Sequence, residues 1–167
     1  MTRKLLLLGL GLALVFAVPA LADHGKGKSG NDGKGEHRGV TLLASQVAPT
    51  VPTDPTIHGV APGGAPWVLD HGKVRLRSDG RLRVEVEGLV IPTAPQNGTN
   101  PVPKLAASLF CGTDTPAAST AAVPFSTQGD AEIETTLALP SKCLAPVVLL
   151  RAGSAAGPYI AASGFGG

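Results

Sequence analysis

Large rings are scarce in this chain. Phe, Trp and Tyr make up 4% of its 167 residues, with one Trp and one Tyr among them. A core must therefore be filled mainly by Ala, Val and Leu. Two cysteines are too few for a disulfide-dense mini-scaffold or for a zinc site built of Cys alone. After the first 22 residues no apolar run is long enough to span a bilayer as a helix. Long helices are disfavoured as well, because 22 Gly and 15 Pro interrupt any helical periodicity. These absences leave a turn-rich β protein.

The N-terminus reads as an address rather than as part of a fold. Arg3 and Lys4 precede an apolar run of 14 residues, Leu5 to Val18. Pro19 ends the run, and Ala20-Leu21-Ala22 supplies the small-residue cleavage pattern. Residues 1–22 are expected to be a secretory signal peptide, cut before Asp23, so that the protein is secreted. A membrane anchor would need about 20 apolar residues. No Cys follows the cut, which argues against a lipid anchor, and the mature chain is expected to have no membrane span. Without Arg3 and Lys4, 12 bases face 12 acids. No basic excess remains to displace counterions, so a nucleic-acid partner is not expected. An envelope or extracellular protein partner fits the address better.

Residues 23–39, DHGKGKSGNDGKGEHRG, hold six Gly and no aliphatic or aromatic side chain. Such a stretch cannot bury enough apolar surface to offset an ordering entropy of roughly 1–2 kcal/mol per residue. It reads as a disordered spacer. His24 and His37 lie too far apart in a flexible chain to form a metal site. Residues 40–66 read as a Pro-rich extended segment laid against the domain. Val40 to Val47 suits a first strand and Ile57 to Ala61 a short edge strand, while the prolines between them exclude a helix.

From Trp67 the pattern sharpens. Val74 and Leu76 alternate with Lys73, Arg75 and Arg77; Leu82, Val84 and Val86 alternate with Arg81, Arg83, Glu85 and Glu87. Period-two alternation on both sides of Asp79-Gly80 predicts a β-hairpin with one buried face. Parity fixes its register. A two-residue loop would pair Arg77 with Leu82 and put charge on the apolar face. The odd loop Ser78-Asp79-Gly80 pairs Leu76 with Leu82 and Val74 with Val84, with Gly80 at positive φ. Lys73 then stands opposite Glu85, and Arg75 opposite Arg83, a like-charge pair that must splay into water.

Further strands are expected at Leu105 to Cys111, Ala118 to Phe125, Asp130 to Leu139, Pro146 to Leu150 and Tyr159 to Phe165, with residues 92–102 as a turn-rich loop. Pro146 to Leu150 is continuously apolar and suits a strand covered on both faces. The spacing predicts an all-β fold: a single Greek-key-like β-sandwich of about 7–8 strands over residues 67–167, with one disulfide. Cys111 and Cys143 are the only cysteines of an exported chain, so a structural bridge is expected. No C-x-x-C marks a redox pair.

Motifs that carry chemistry are thin. The mature chain has His24, His37, His58 and His71, but no H-x-H and no H-E-x-x-H. Ser163 sits in Ala-Ala-Ser-Gly-Phe, which is not a nucleophile elbow. Glu85/Glu87 and Glu132/Glu134 each put two carboxylates on one strand face, roughly 7 Å apart. Both pairs fall on the polar side of alternating strands, where solvated charge is the ordinary state. Asn97-Gly98-Thr99 matches a glycosylation sequon.

The run from Gly72 through Leu89 and the ending Gly157-Pro158-Tyr159-Ile160-Ala161-Ala162 resemble the hairpin and closing strand of CHRD-type secreted domains. Those are similar to copper/zinc superoxide dismutase-like β-sandwiches. The chain also resembles Ala/Pro-rich secreted proteins of high-GC bacteria. The resemblance implies a sandwich over residues 67–163. It implies no metal site, because Leu105 to Leu109 stands where CHRD domains carry H-x-H, and Ile160 to Ser163 lacks their closing-strand histidine. Fold alone does not transfer function.

Two readings follow. The first is an exported, non-enzymatic β-sandwich, a structural or binding module without cofactor, metal or catalytic residues. Its ligand surface would lie at loops 92–102 or 112–118, or at Trp67, the one large ring that could be exposed. As the alternative, Trp67 anchors the core. The second reading is a metal-binding protein or enzyme using His58, His71, Asp70 and surface carboxylates.

Overall fold

A computed structural model describes residues 39–165. The expected leader, 1–22, and all of the expected spacer except Gly39 lie outside the described residues. The described chain contains nine strands and no helix. They are β1 (Thr41–Pro49), β2 (His71–Arg77), β3 (Arg81–Glu87), β4 (Lys104–Cys111), β5 (Ala118–Ser119), β6 (Val123–Pro124), β7 (Ala131–Thr136), β8 (Pro146–Ala152) and β9 (Tyr159–Ser163). All strand pairings are antiparallel.

The hairpin takes the register that parity requires. Leu76 faces Leu82, Val74 faces Val84, Lys73 faces Glu85 and Arg75 faces Arg83. Gly80 has φ +84°, and its N–H donates to the Arg77 carbonyl at 3.0 Å, closing the three-residue loop. A Cβ there would stand 2.1 Å from the Leu137 carbonyl oxygen, so the position needs glycine twice over. β7 adds to the other edge of β3, with Val84 against Ile133 and Glu85 against Glu132.

β1 makes the sandwich. Its residues Thr41 to Gln46 pair with β2, whereas Val47 to Pro49 pair with β9. One strand thus serves a front sheet (β1-β2-β3-β7) and a back sheet (β1-β9-β8-β4, with β5 and β6 on the far edge of β4). A strand that switches sheets forms a corner of a folded-over sheet. The sandwich therefore begins at Thr41, not at Trp67. Pro49 is tolerated because it closes the strand, where a missing N–H costs no continuing ladder. The chain crosses from front to back between β3 and β4 and again between β7 and β8, which gives the Greek-key character.

The core fills the space between the sheets. Val74, Leu76, Leu82, Val84, Val86 and Ile133 from the front meet Leu105, Ala107, Leu109, Val148, Leu150 and Ile160 from the back. A bulge in the β8–β9 pairing at Leu150/Arg151 gives β9 one extra residue. That residue lets Ile160 and Ala161 both join the main core. β8 is covered on both sides, as its continuous apolar run requires: Val148 and Leu150 belong to the main core, Leu149 to a second cluster with Phe110 and Tyr159.

The Pro-rich segment after β1 covers that second cluster with Ile57 and Val60. The Tyr159 hydroxyl donates to the Pro55 carbonyl at 2.6 Å, and the Gly63 N–H donates to the Tyr159 carbonyl at 2.7 Å. Extended chain laid against the domain is thus correct for residues after Pro49. Ile57 to Ala61 is not an edge strand. Ile57 and Val60 bridge each other across a tight turn, with φ of 49° at His58 and 71° at Gly59, the two positive values of a primed hairpin turn. Ala118 to Phe125 is not one strand either. Thr120 accepts the Ala107 N–H on its hydroxyl at 3.0 Å and interrupts the ladder, leaving β5 and β6 as separate pairs of residues.

Cys111 and Cys143 are bonded, with Cα atoms 4.7 Å apart. The bridge ties the end of β4 to the connection that leads into β8.

Candidate functional site

Two surface regions collect the chemistry-bearing residues. The first is a cleft of about 550 Å³ where β1 bends, with Gln46, Val51, Trp67, Asp70, His71 and Lys73 among its lining. Trp67 contributes little open surface. It is 5% exposed, its backbone N–H donates to the Thr50 carbonyl at 2.8 Å, and Gly63 lies against its indole nitrogen. The ring considered for a ligand surface is a core anchor, because the Pro-rich segment folds back over it. The apolar lip is supplied by Val51 and Val68, at 40% and 41% exposure.

Asp70 and His71 share this cleft; His58 does not. The His58 ring stacks on Phe110 at 4.9 Å, with Nδ1 3.5 Å from Asp114. Among the described residues no three His, Cys, Asp or Glu side chains converge into a metal-binding group. The Asp70 carboxylate packs over Gly88, where an added Cβ would meet it at 2.3 Å. The Ser163 hydroxyl accepts the Val148 N–H at 3.0 Å and takes a structural part in the β8–β9 pairing. Leu105, Ala106, Ala107 and Ala161 are buried at 1% exposure or less.

Each loop considered as a ligand surface holds hydrogen bonds of its own. Asn100 is 4% exposed; its amide donates to the Val102 and Ser126 carbonyls and its oxygen accepts the Val102 N–H. In the 112–118 loop the Thr113 hydroxyl donates to the Thr115 carbonyl at 3.1 Å.

The second region is the outer face of the front sheet, where arginines gather toward one end and carboxylates toward the other, with Glu134 and Asp79 among the arginines and Lys73 opposite Glu85. At the hairpin end Arg75, Arg77, Arg81 and Arg83 surround a shallow groove of about 470 Å³ with Glu134 and Thr136. At the opposite end Glu85, Glu87, Asp130 and Glu132 line a second groove of about 340 Å³. The two carboxylate pairs meet across strands as Glu85 against Glu132, and Arg83 sits between them, 2.6 Å from Glu85 and 3.0 Å from Glu132. This is charge pairing on a solvated face. The odd-loop register already places all four arginines on one face, and that was the available signal.

Asp79 organises the arginine end. Its carboxylate accepts the Arg81 N–H at 3.2 Å and lies 3.6 Å from Arg81 Nε and 3.9 Å from Arg77 Nε. Desolvation at the turn pushes its pKa up. The N–H groups of Arg81 and Gly39 and the two guanidiniums outweigh that effect and hold the carboxyl below the ordinary aspartate value. A folded-state value below the unfolded one means stability that is present above about pH 4 and lost as pH falls through the folded value. Asp79→Asn should therefore lower the urea midpoint at pH 7, and its gap from wild type should close in acid. A gap independent of pH would show that the charge is not what matters.

No family model matches the chain, and no curated protein or solved structure does.

Proposed function

We propose that this protein is an exported, non-enzymatic β-sandwich that works as a binding module of the cell envelope or medium. The observation that carries the reading is the charge arrangement on the outer face of the front sheet. Four arginines with Asp79 and Glu134 stand at one end and four carboxylates with Lys73 at the other, on strands whose inner faces are locked into the core. A rigid sheet that presents ordered charge suits recognition, since little side-chain and backbone freedom remains to be lost on binding. The leader pattern and the oxidised cysteine pair support export.

The metal or enzymatic reading keeps Asp70 and His71 together but loses His58 to the Phe110 stack. Stoichiometric copper or zinc in purified mature protein would revive it.

Two measurements test the proposal. Cell fractionation should place a chain beginning at Asp23 outside the cytoplasm, and a cytoplasmic product that retains Leu5 to Val18 would refute export. Purified protein should co-sediment with isolated envelopes and be released by salt, because exposed charge contacts weaken once the screening length falls to about 3 Å at 1 M. Absence of any retention at low salt would remove the binding reading.

A further inference from the structure

We propose that the arginine end of the front sheet binds a linear acidic polysaccharide, one that carries carboxylate or sulfate at regular intervals. The inference rests on the binding-module reading and names its ligand.

The geometry begins with the strand grid. Arg75 and Arg83 are direct cross-strand partners; Arg77 and Arg81 follow them by two residues on the same face. Neighbouring strands stand roughly 5 Å apart, and residues two apart on one strand roughly 7 Å. Arg83 is turned to Glu85 and Glu132 and Arg77 to the Gly39 carbonyl, so the four guanidiniums do not converge on one small anion. They match a row of anions on an extended chain that lies across the strands. The forks of Arg75 and Arg81 can each take a carboxylate or sulfate by paired hydrogen bonds.

Two of the four are already positioned. Arg83 is held by Glu85 and Glu132, and Arg77 donates to the Gly39 carbonyl. The Nε of Arg77 is buried without a hydrogen-bond partner. Arg81 is 68% exposed beside Asp79, and among the described residues Arg75 has no ion-pair partner. Like charges directly opposite each other destabilise a sheet. Glu85 and Glu132 answer Arg83, which leaves Arg75 as the guanidinium of the pair open to a ligand anion. The hydroxyl of Thr136, opposite Arg81, is at hand for a sugar hydroxyl.

The same face disfavours nucleic acid. β2, β3 and β7 carry no Phe, Tyr or Trp on which bases could stack. Glu134 stands opposite Arg83 and limits the patch to a moderately charged chain.

The experiment is equilibrium binding of the full mature protein to polygalacturonate and to heparin. Neutral dextran and duplex DNA are the other arms, and Lys104→Gln on the back sheet is the charge control. Saturable, salt-sensitive binding to either acidic glycan is expected, with none to dextran. Arg75→Thr should weaken it at least tenfold while leaving the urea midpoint in place. A merely structural arginine would lower that midpoint. Arg75→Thr/Arg81→Thr should abolish binding, and Lys104→Gln should leave it unchanged.

No binding to either glycan would overturn the proposal, as would an equal loss in Lys104→Gln. Tighter Arg75-dependent binding to DNA would reassign the face to nucleic acid. Dimerisation that Arg75→Thr abolishes would reassign it to a second copy, its acidic end on the arginines of the first. Envelope retention that survives Arg75→Thr/Arg81→Thr would sink this inference and leave the module reading standing.

Discussion

Val84→Asp should leave the protein unfolded at neutral pH, or within a urea step of unfolding. Val84 is fully buried and sits between Val74 on β2 and Ile133 on β7, at the centre of the front sheet. The substitution removes an apolar side chain whose burial contributes roughly 1.5–3 kcal/mol. It also places a carboxyl where no partner waits, which drives protonation or desolvation at a further cost of several kcal/mol. The sum exceeds about 4 kcal/mol, against a total stability of about 5–15 kcal/mol for an ordinary domain. Val84→Ala, milder by design, should cost about 2 kcal/mol and keep the measurement in range. Glu85→Ala, one residue along, should change stability by no more than about 0.5 kcal/mol. Its carboxylate shares Arg83 with Glu132, so the guanidinium keeps a partner when Glu85 is cut back. Paired urea melts decide the matter. Equal losses at the two positions would mean that the polar face is buried too, and the charged platform would then be no surface at all.

The hairpin was legible because two independent constraints agreed. Alternation named the buried face, and the parity of the loop named the partners. β4 and β8 were legible as strands but not as pairs, since a strand buried on both faces shows no alternation by which to set register. The double role of β1 had no local signal. Gln46 and Val47 look alike in pattern, and only the arrival of β9 decides that pairing passes from β2 to β9 there. The His58-Gly59 turn was missed because two positive φ values are ordinarily announced by Asn-Gly or Asp-Gly, and His-Gly lacks the usual first residue. Here the ring is compensated by its stack on Phe110.

The candidate surface was half legible. Arg75 facing Arg83 could be written down from parity, as could the common face of Arg77 and Arg81. Their standing as one groove needed β7, which brings Glu134 and Thr136 alongside them. Trp67 went the other way. A lone tryptophan beside a proline is more often an anchor than a platform, and here the return of residues 50–63 over it makes it one, a contact far from its sequence neighbourhood.

Cys111→Ser should cost about 2–5 kcal/mol, the range for loss of a native bridge from a small secreted domain. The two cysteines are 32 residues apart, and closing a loop of that size removes denatured-state entropy worth about 3–4 kcal/mol in the chain-entropy model. The native side of the balance points the same way. The connection between β7 and β8 has little else to hold it: Leu144 is 58% exposed, and Ala145 is kept at φ 46°, a conformation that disfavours side chains. Without the bridge this arch should open before the sheets do. Hydrogen exchange at residues 140–146 should accelerate in Cys111→Ser while the amides of β3 and β8 keep protection set by global unfolding. Cys143→Ser should match Cys111→Ser, and the double variant should cost no more than either alone, because one bond is lost in all three. Native protein should show no free thiol after denaturation without reductant. Two titratable thiols, or a Cys111→Ser melt that overlays wild type, would mean that the arch is held by packing alone.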